Sequence, residues 1–294
     1  MKLLYQIHKS NKPAFPNFGD ELNLLIWPKL APGLFDESES VLFVGIGTVL
    51  DKTLPESPLK IIFGAGNGYA PPPRIDSTYR IYCVRGPLTA KMVGLSAELA
   101  VTDPAILINQ VYSVPVEQKR GIALMGHYTS AQSADWTFAC EELGFTYIDP
   151  LWPMHRILAM ISQSELVVTE AMHGAIVADA LRVPWVPVIT NVSACPFKWR
   201  DWTSSMELDY NPIVIPALWD RCAPPTSSIG RLKRWLKRRQ FISRLSPGNL
   251  RSRTRLSSDR VLEARLCRLH ELFGQLKRDA IYEGWGQRRT SCDC

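Results

Sequence analysis

Residues 164–188 place one histidine at a turn suited to receive an anion. An apolar run, Leu166-Val167-Val168, leads into Thr169-Glu170-Ala171-Met172-His173-Gly174, and a longer apolar run from Ala175 to Leu181 follows. In a parallel α/β sheet a strand-to-helix turn lies at the carboxyl edge of the strand, where ligands bind. The open backbone N–H groups of the next helix attract negative charge there. An imidazole titrates near pH 6.5, and Gly174 lets a ligand approach the backbone closely. Arg182-Val183-Pro184 ends the helix before a second apolar run, Trp185-Val186-Pro187-Val188-Ile189. The chemistry this favours is a small anion held beside a group that gives or takes a proton. The plainer reading of His173 is a buried histidine bonded to a backbone carbonyl.

Other side chains could complete such a site. Arg85, in Val84-Arg85-Gly86-Pro87-Leu88, can offer a planar fork to phosphate or carboxylate, or form a surface ion pair. Lys198 and Arg200 stand among Phe197, Trp199 and Trp202 just after the second apolar run. They could add cations and an aromatic face for a sugar, or belong to a loop packed on its own tryptophans. Asp20 and Glu170 are candidate bases for a hydroxyl, although a carboxylate after a glycine, as at Asp20, more often anchors a turn. His127, at a strand end, either meets a ligand or packs. The glycines at 45–47 and 64–68 give neither a dinucleotide fingerprint nor a P-loop lysine and read as tight turns that open a cleft. Cys292-Asp293-Cys294 offers only two thiols on a terminal tail, so no metal is assigned.

These residues must be positioned by an alternating α/β chain. Residues 2–8, 40–44, 59–63 and 80–84 read as short strands, the last three each followed by glycine, and residues 18–30 as a loop entering a helix. Pro87 and Gly94 bracket a short helix over 88–93. Residues 105–111 form a further apolar segment, and 113–119 read as a linker. A second series follows: a strand over 121–125 ending at Gly126-His127, a helix over 134–143, a strand over 145–148, a helix over 155–163, then the histidine turn. Two such series predict an α/β fold of two Rossmann-like lobes facing a cleft, residues 1–116 and 117–220. A basic segment and a C-terminal helix occupy 221–294. Leu232, Trp235, Leu236, Ile242 and Leu245 are expected to line one face of a basic helix. Val261, Leu262, Leu266, Leu269, Leu272, Phe273 and Leu276 share a face of a last helix, N-capped by Ser258, that should dock on a core.

Composition sets the class. With 294 residues, 46% of them hydrophobic, the chain can fill two cores. The apolar start is too short for a signal peptide, and no run is long enough to span a bilayer. Seven scattered cysteines fit reduced thiols and a cytoplasmic setting, in which the sequon Asn191-Val192-Ser193 carries no meaning. The net charge of +6 is uneven: residues 221–258 hold eleven Lys or Arg and no Asp or Glu, leaving −5 for the rest. Such a block points to an anionic surface or a solvated tail. A membrane leaflet fits better than nucleic acid, for which no binding module is recognisable.

The histidine turn, taken in order with Asn17-Phe18-Gly19-Asp20-Glu21-Leu22, Gly45-Ile46-Gly47-Thr48, Gly64-Ala65-Gly66, Val84-Arg85-Gly86-Pro87-Leu88 and Thr102-Asp103-Pro104, resembles the polysaccharide pyruvyl transferase family. Within it the chain is most similar to ketalases of succinoglycan-type exopolysaccharides, over about residues 1–215. The resemblance implies a fold similar to the two-lobed GT-B glycosyltransferases. It also implies phosphoenolpyruvate as co-substrate, with no cofactor, and a saccharide acceptor, expected to be lipid-linked, that receives a pyruvate ketal. His173 then becomes the acid or a phosphate ligand, Asp20 and Glu170 the bases, and Arg85, Gly174, Lys198 and Arg200 the donor site. His127, Trp199 and Trp202 are left for the acceptor. Family members often carry an arginine two residues before this histidine, where this chain has Ala171. The alternatives are a nucleotide-sugar glycosyltransferase and a non-catalytic membrane-associated scaffold.

Overall fold

A computed structural model describes residues 1–5, 17–113, 119–132, 136–190, 195–217 and 227–285. The expected end of the first strand, most of the linker, the sequon, the start of the basic segment and the terminal cysteines lie outside these residues. The chain runs β1 (Lys2–Leu4), α1 (Phe18–Leu30), β2 (Val41–Val44), β3 (Leu59–Phe63), β4 (Tyr79–Cys83), α2 (Pro87–Met92), two 3-10 turns and α3 (Ile108–Val111). It continues β5 (Ile122–Met125), α4 (Tyr128–Ala131), α5 (Trp136–Leu143), β6 (Thr146–Ile148), α6 (Met154–Ser162), β7 (Leu166–Thr169), α7 (Met172–Ala180) and β8 (Trp185–Ile189). Then come α8 (Pro196–Ser205), β9 (Ile213–Val214), α9 (Ser228–Arg244), α10 (Pro247–Arg251) and α11 (Asp259–Tyr282).

The strands form two parallel sheets, ordered β1-β2-β3-β4 and β6-β5-β7-β8-β9. The inner strands β2, β3, β7 and β8 are buried for nearly their whole length, as a parallel sheet covered on both faces requires. In the second sheet the chain passes from β5 outward to β6 and then returns to the other side of β5 for β7. That reversal is a topological switch point, and a crevice opens beyond the carboxyl ends of β5 and β7. His127 follows β5 and His173 follows β7, so the topology brings the two histidine turns together.

One apolar core joins the sheets, running from Phe43 and Phe63 through α1 and the 104–107 turn to Met125 and α7. α11 docks as its apolar face predicts: Phe273 packs against Trp27 and Phe63 at 5.6 and 5.5 Å, and the Tyr82 hydroxyl donates to Asp279 at 2.5 Å. It thus closes over the first sheet. α9 departs from expectation. Of the expected face Leu245 is buried against the second sheet, together with Phe241, which the apolar pattern did not single out, whereas Leu232, Trp235 and Leu236 are exposed.

Candidate active site

Two helix N-termini meet at the crevice. α7 starts without a side-chain cap, its backbone turn being held by Thr169, whose hydroxyl accepts from Ala171 N and donates to Ala171 O, both at 3.0 Å. The His173 imidazole stands in the first turn of α7 and lies on the start of α1, at Gly19. A Cβ at position 19 would come within 1.9 Å of His173 Nδ1, so only glycine admits the ring. On its other side, His173 Nε2 is 3.6 Å from Asp103 Oδ2, and neither of these buried atoms has a hydrogen-bond partner. Asp103 Oδ1 accepts from Ala105 N at 3.0 Å and caps the 104–107 turn, which fixes the carboxylate that faces the ring.

Asp20 enters from the same end of α1. Asn17 caps this helix, its Oδ1 accepting from Gly19 N at 3.2 Å while its Nδ2 donates to Asp20 Oδ2 at 2.8 Å. Burial pushes the Asp20 carboxyl up to about 6, against the pull of His173, Asn17 and Lys198. The loop after β2 is tied to α1 by Asn23, which accepts from Ile46 N and donates to Ile46 O, both at 2.9 Å. The tie sets Thr48 beside Asp20 in the cavity wall.

Lys198 is the cation of the site. α8 begins at Pro196 and turns the buried Lys198 ammonium toward the cavity, where it donates to the Tyr69 hydroxyl at 2.5 Å. Burial, and then the positive charge of Arg85, lower its pKa to about 8, while Cys195, Asp20 and Glu170 oppose the shift. Asn17, Gly19, Asp20, Thr48, Tyr69, His127, Tyr128, Ala171, His173 and Lys198 all line one cavity of about 60 Å³. Tyr69, 57% exposed, is the most exposed of these lining residues.

Several expected site residues sit elsewhere. Arg85 is neither a surface ion pair nor a wall of the cavity. It is fully buried, with Nε donating to Asp201 Oδ2 at 3.1 Å, Nη1 to Thr48 Oγ1 at 2.9 Å and Nη2 to Asn67 O at 2.6 Å. Asp201 also accepts from Leu88 N and Thr89 N at the start of α2, both at 2.9 Å, so the pair fastens α8 to α2. Gly66 and Gly86 allow it, since a Cβ on either would come within 2.1 Å of Arg85 or Asp201.

Glu170 is not a free base. Its carboxylate accepts from Thr190 N and Oγ1, His127 N and Ser130 Oγ, which ties together the ends of β5, β7 and β8. Gly174 serves packing rather than ligand approach, for a Cβ there would meet Met125 Sδ at 2.8 Å and Thr169 Oγ1 at 2.9 Å. Trp199 and Trp202 are buried and pack with Trp185, and Trp199 also stacks on Tyr210 at 5.2 Å, so neither offers a face to a sugar. Arg200 is exposed and outside the cavity lining, because residues two apart on a helix point to opposite sides and Lys198 takes the inner one. His127 does line the cavity; it caps α4 and bonds Thr129 Oγ1 at 2.8 Å through Nδ1.

Sequence reasoning missed Asp103, Tyr69 and Thr48 as site residues. Each lies inside or beside a short motif already noted, yet nothing local says that Asp103 faces a histidine seventy positions later. Among the described residues, no group of three or more His, Cys, Asp or Glu is placed to hold a metal.

Comparison with known proteins agrees with the motifs. Residues 74–191 match the family model described as polysaccharide pyruvyl transferase. The chain is also 40% identical over 204 residues to the succinoglycan biosynthesis protein ExoV of Rhizobium meliloti (strain 1021). The match covers 68% of this chain and 65% of that protein's length, just under two thirds of it. No solved structure matches the chain. The family match takes in Arg85, Asp103, His127, Glu170 and His173, and leaves Asp20 and Lys198 on either side. Over residues 74–191, the stretch that carries the arginine and histidine motifs, the chain thus matches the polysaccharide pyruvyl transferase family.

Proposed function

We propose that the protein is a phosphoenolpyruvate-dependent transferase that builds a pyruvate ketal across two hydroxyls of one sugar in an exopolysaccharide repeat unit. The acceptor is lipid-linked and presented at the cytoplasmic face of the membrane. Its two sheets act as Rossmann-like lobes closing on the crevice, in the manner of GT-B enzymes. The observation that carries this reading is the convergence, in one small cavity, of a histidine, a carboxyl raised to about 6 and a buried lysine.

Lys198 and the uncapped N-terminus of α7 hold the donor's phosphate and carboxylate, with Lys198 exchanging the Tyr69 hydroxyl for the anion. It thereby supplies, from α8, the positive charge that Ala171 lacks. His173, oriented by Asp103, gives a proton to carbon 3 of the enol as a sugar hydroxyl oxygen bonds to carbon 2. Asp20 takes that hydroxyl's proton. The second hydroxyl then bonds to carbon 2 as the bond to the phosphate oxygen breaks, and its proton leaves with inorganic phosphate. The net result is one ketal and one phosphate from one phosphoenolpyruvate and one diol. Proton return from Asp20 to His173 resets the site.

Thermal unfolding tests the donor assignment. Phosphoenolpyruvate at about 100 times its dissociation constant should stabilise the protein by about 2.7 kcal/mol. UDP-sugars should leave the melting temperature unchanged, and stabilisation by UDP-sugars alone would move the protein to nucleotide-sugar chemistry.

A further inference from the structure

The face that α9 turns away from the protein is apolar and basic at once. Phe241 and Leu245 are buried, Arg234 and Arg238 are half-buried, and all four fall on one side of the helix. Arg238 pairs with Glu142 and lies over the Phe138 ring, which seats that side on the second sheet. At 100° per residue, Ile229, Leu232 and Leu236 lie on the opposite side, 69, 57 and 52% exposed, with Trp235 beside them at 47%. The helix sequence SIGRLKRWLKRRQFISR contains seven Lys or Arg and no Asp or Glu. Exposed Lys233 and Arg239 belong to this outward half, exposed Lys237 stands on its flank, and the Arg239 guanidinium lies 4.9 Å from the Trp235 ring centre.

A surface helix ordinarily turns polar residues outward, so an apolar stripe there marks a contact. Cations without acids select an anionic partner. Aliphatic side chains at helical spacing fit acyl chains, whereas single-stranded nucleic acid is held by a basic groove with aromatic platforms. We infer that α9 is an interfacial helix that docks the protein on an anionic lipid surface. Ile229, Leu232 and Leu236 enter the acyl boundary, Trp235 sits at headgroup level, and Lys233, Lys237 and Arg239 reach the phosphates. This stands whether or not the donor is phosphoenolpyruvate.

The test is co-sedimentation of the full chain at low salt with vesicles of phosphatidylcholine alone or with about 30% phosphatidylglycerol. The protein should partition onto the anionic vesicles and hardly onto the neutral ones. Changing Lys233, Lys237 and Arg239 together to Gln should weaken that partition about 100-fold. Changing Ile229, Leu232 and Leu236 together to Ser, with every charge kept, should weaken it about tenfold or more. Both variants should melt as the parent does, because these side chains are exposed. Vesicle binding unchanged in either variant overturns the inference. So does an absence of vesicle binding together with charge-dependent binding to poly(U), which would assign the face to nucleic acid.

Discussion

The imidazole of His173 rests on the backbone of Gly19, so that one added methyl group would stand 1.9 Å from Nδ1. The contact locks the ring between α1 and the Asp103 carboxylate, and it joins an element before β2 to one after β7. Gly19→Ala should therefore slow turnover by roughly the 100-to-10,000-fold expected for His173→Ala, since both remove a positioned proton donor. The alanine variant should remain folded, as alanine favours a helix by about 1 kcal/mol over glycine and the ring can swing aside. Steady-state rates and melting curves for the two variants check this; a Gly19→Ala enzyme with normal turnover would show that the ring need not be held there.

Burial of the Asp20 carboxyl costs stability, which the proposed role as base explains. Its carboxyl titrates near 6 in the folded chain and near 3.9 when unfolded, so the folded state binds more protons between these values. Stability must fall as pH rises through that window and stay lower above it. Asp20→Asn should then raise stability at pH 7.5 by about 2 kcal/mol and leave it nearly unchanged at pH 4, while abolishing transfer. Denaturant melts at the two pH values read this directly, and a destabilised Asn variant at pH 7.5 would contradict it.

The Arg85–Asp201 pair predicts a loss of a different kind. Arg85→Ala leaves a buried carboxylate short of its charged partner, which costs about 3–5 kcal/mol. Arg85→Lys keeps the charge but cannot reach Asp201, Thr48 and Asn67 together, and should also lower the melting temperature. An Arg85→Lys protein that melts as the parent does, yet binds phosphoenolpyruvate poorly, would return Arg85 to the donor site.

If Lys198 holds the donor, it should contribute to the basic limb of activity. With its pKa near 8, the ammonium is lost as pH rises through that value, and kcat/KM should fall with it. Lys198→Arg, charged throughout, should flatten this limb even where it lowers the rate. The acid limb near 6 is shared between Asp20 and the donor's own phosphate, which also titrates near 6, so the basic limb is the sharper reporter. A basic limb unchanged in position in the arginine variant would mean that another group, such as the His173 acid, sets it.

The sequence made the His173 turn legible because strand, turn and helix are local and their residue types agree. The docking face of α11 was legible for the same reason. What it could not show was pairing at a distance. Glu170 and Arg85 have the composition of catalytic groups, but their partners at 127, 130, 190 and 201 are brought in by the fold and use up their hydrogen bonds. The stretch holding Lys198, Trp199, Arg200 and Trp202 looks like a loop by composition. As a helix it divides them, one inward cation, one outward cation and two core rings. On α9 a basic sequence hid which of two apolar sets was buried.

The central claim is tested most directly by mass spectrometry of the acceptor. A lipid-linked oligosaccharide precursor of the exopolysaccharide is incubated with phosphoenolpyruvate and the protein, with His173→Ala as control. The account predicts a product heavier by pyruvate less one water, formed with one equivalent of inorganic phosphate and missing from the control. A product heavier by a hexose from a UDP-sugar, or an acceptor unchanged in mass while the folded protein binds phosphoenolpyruvate, would contradict it.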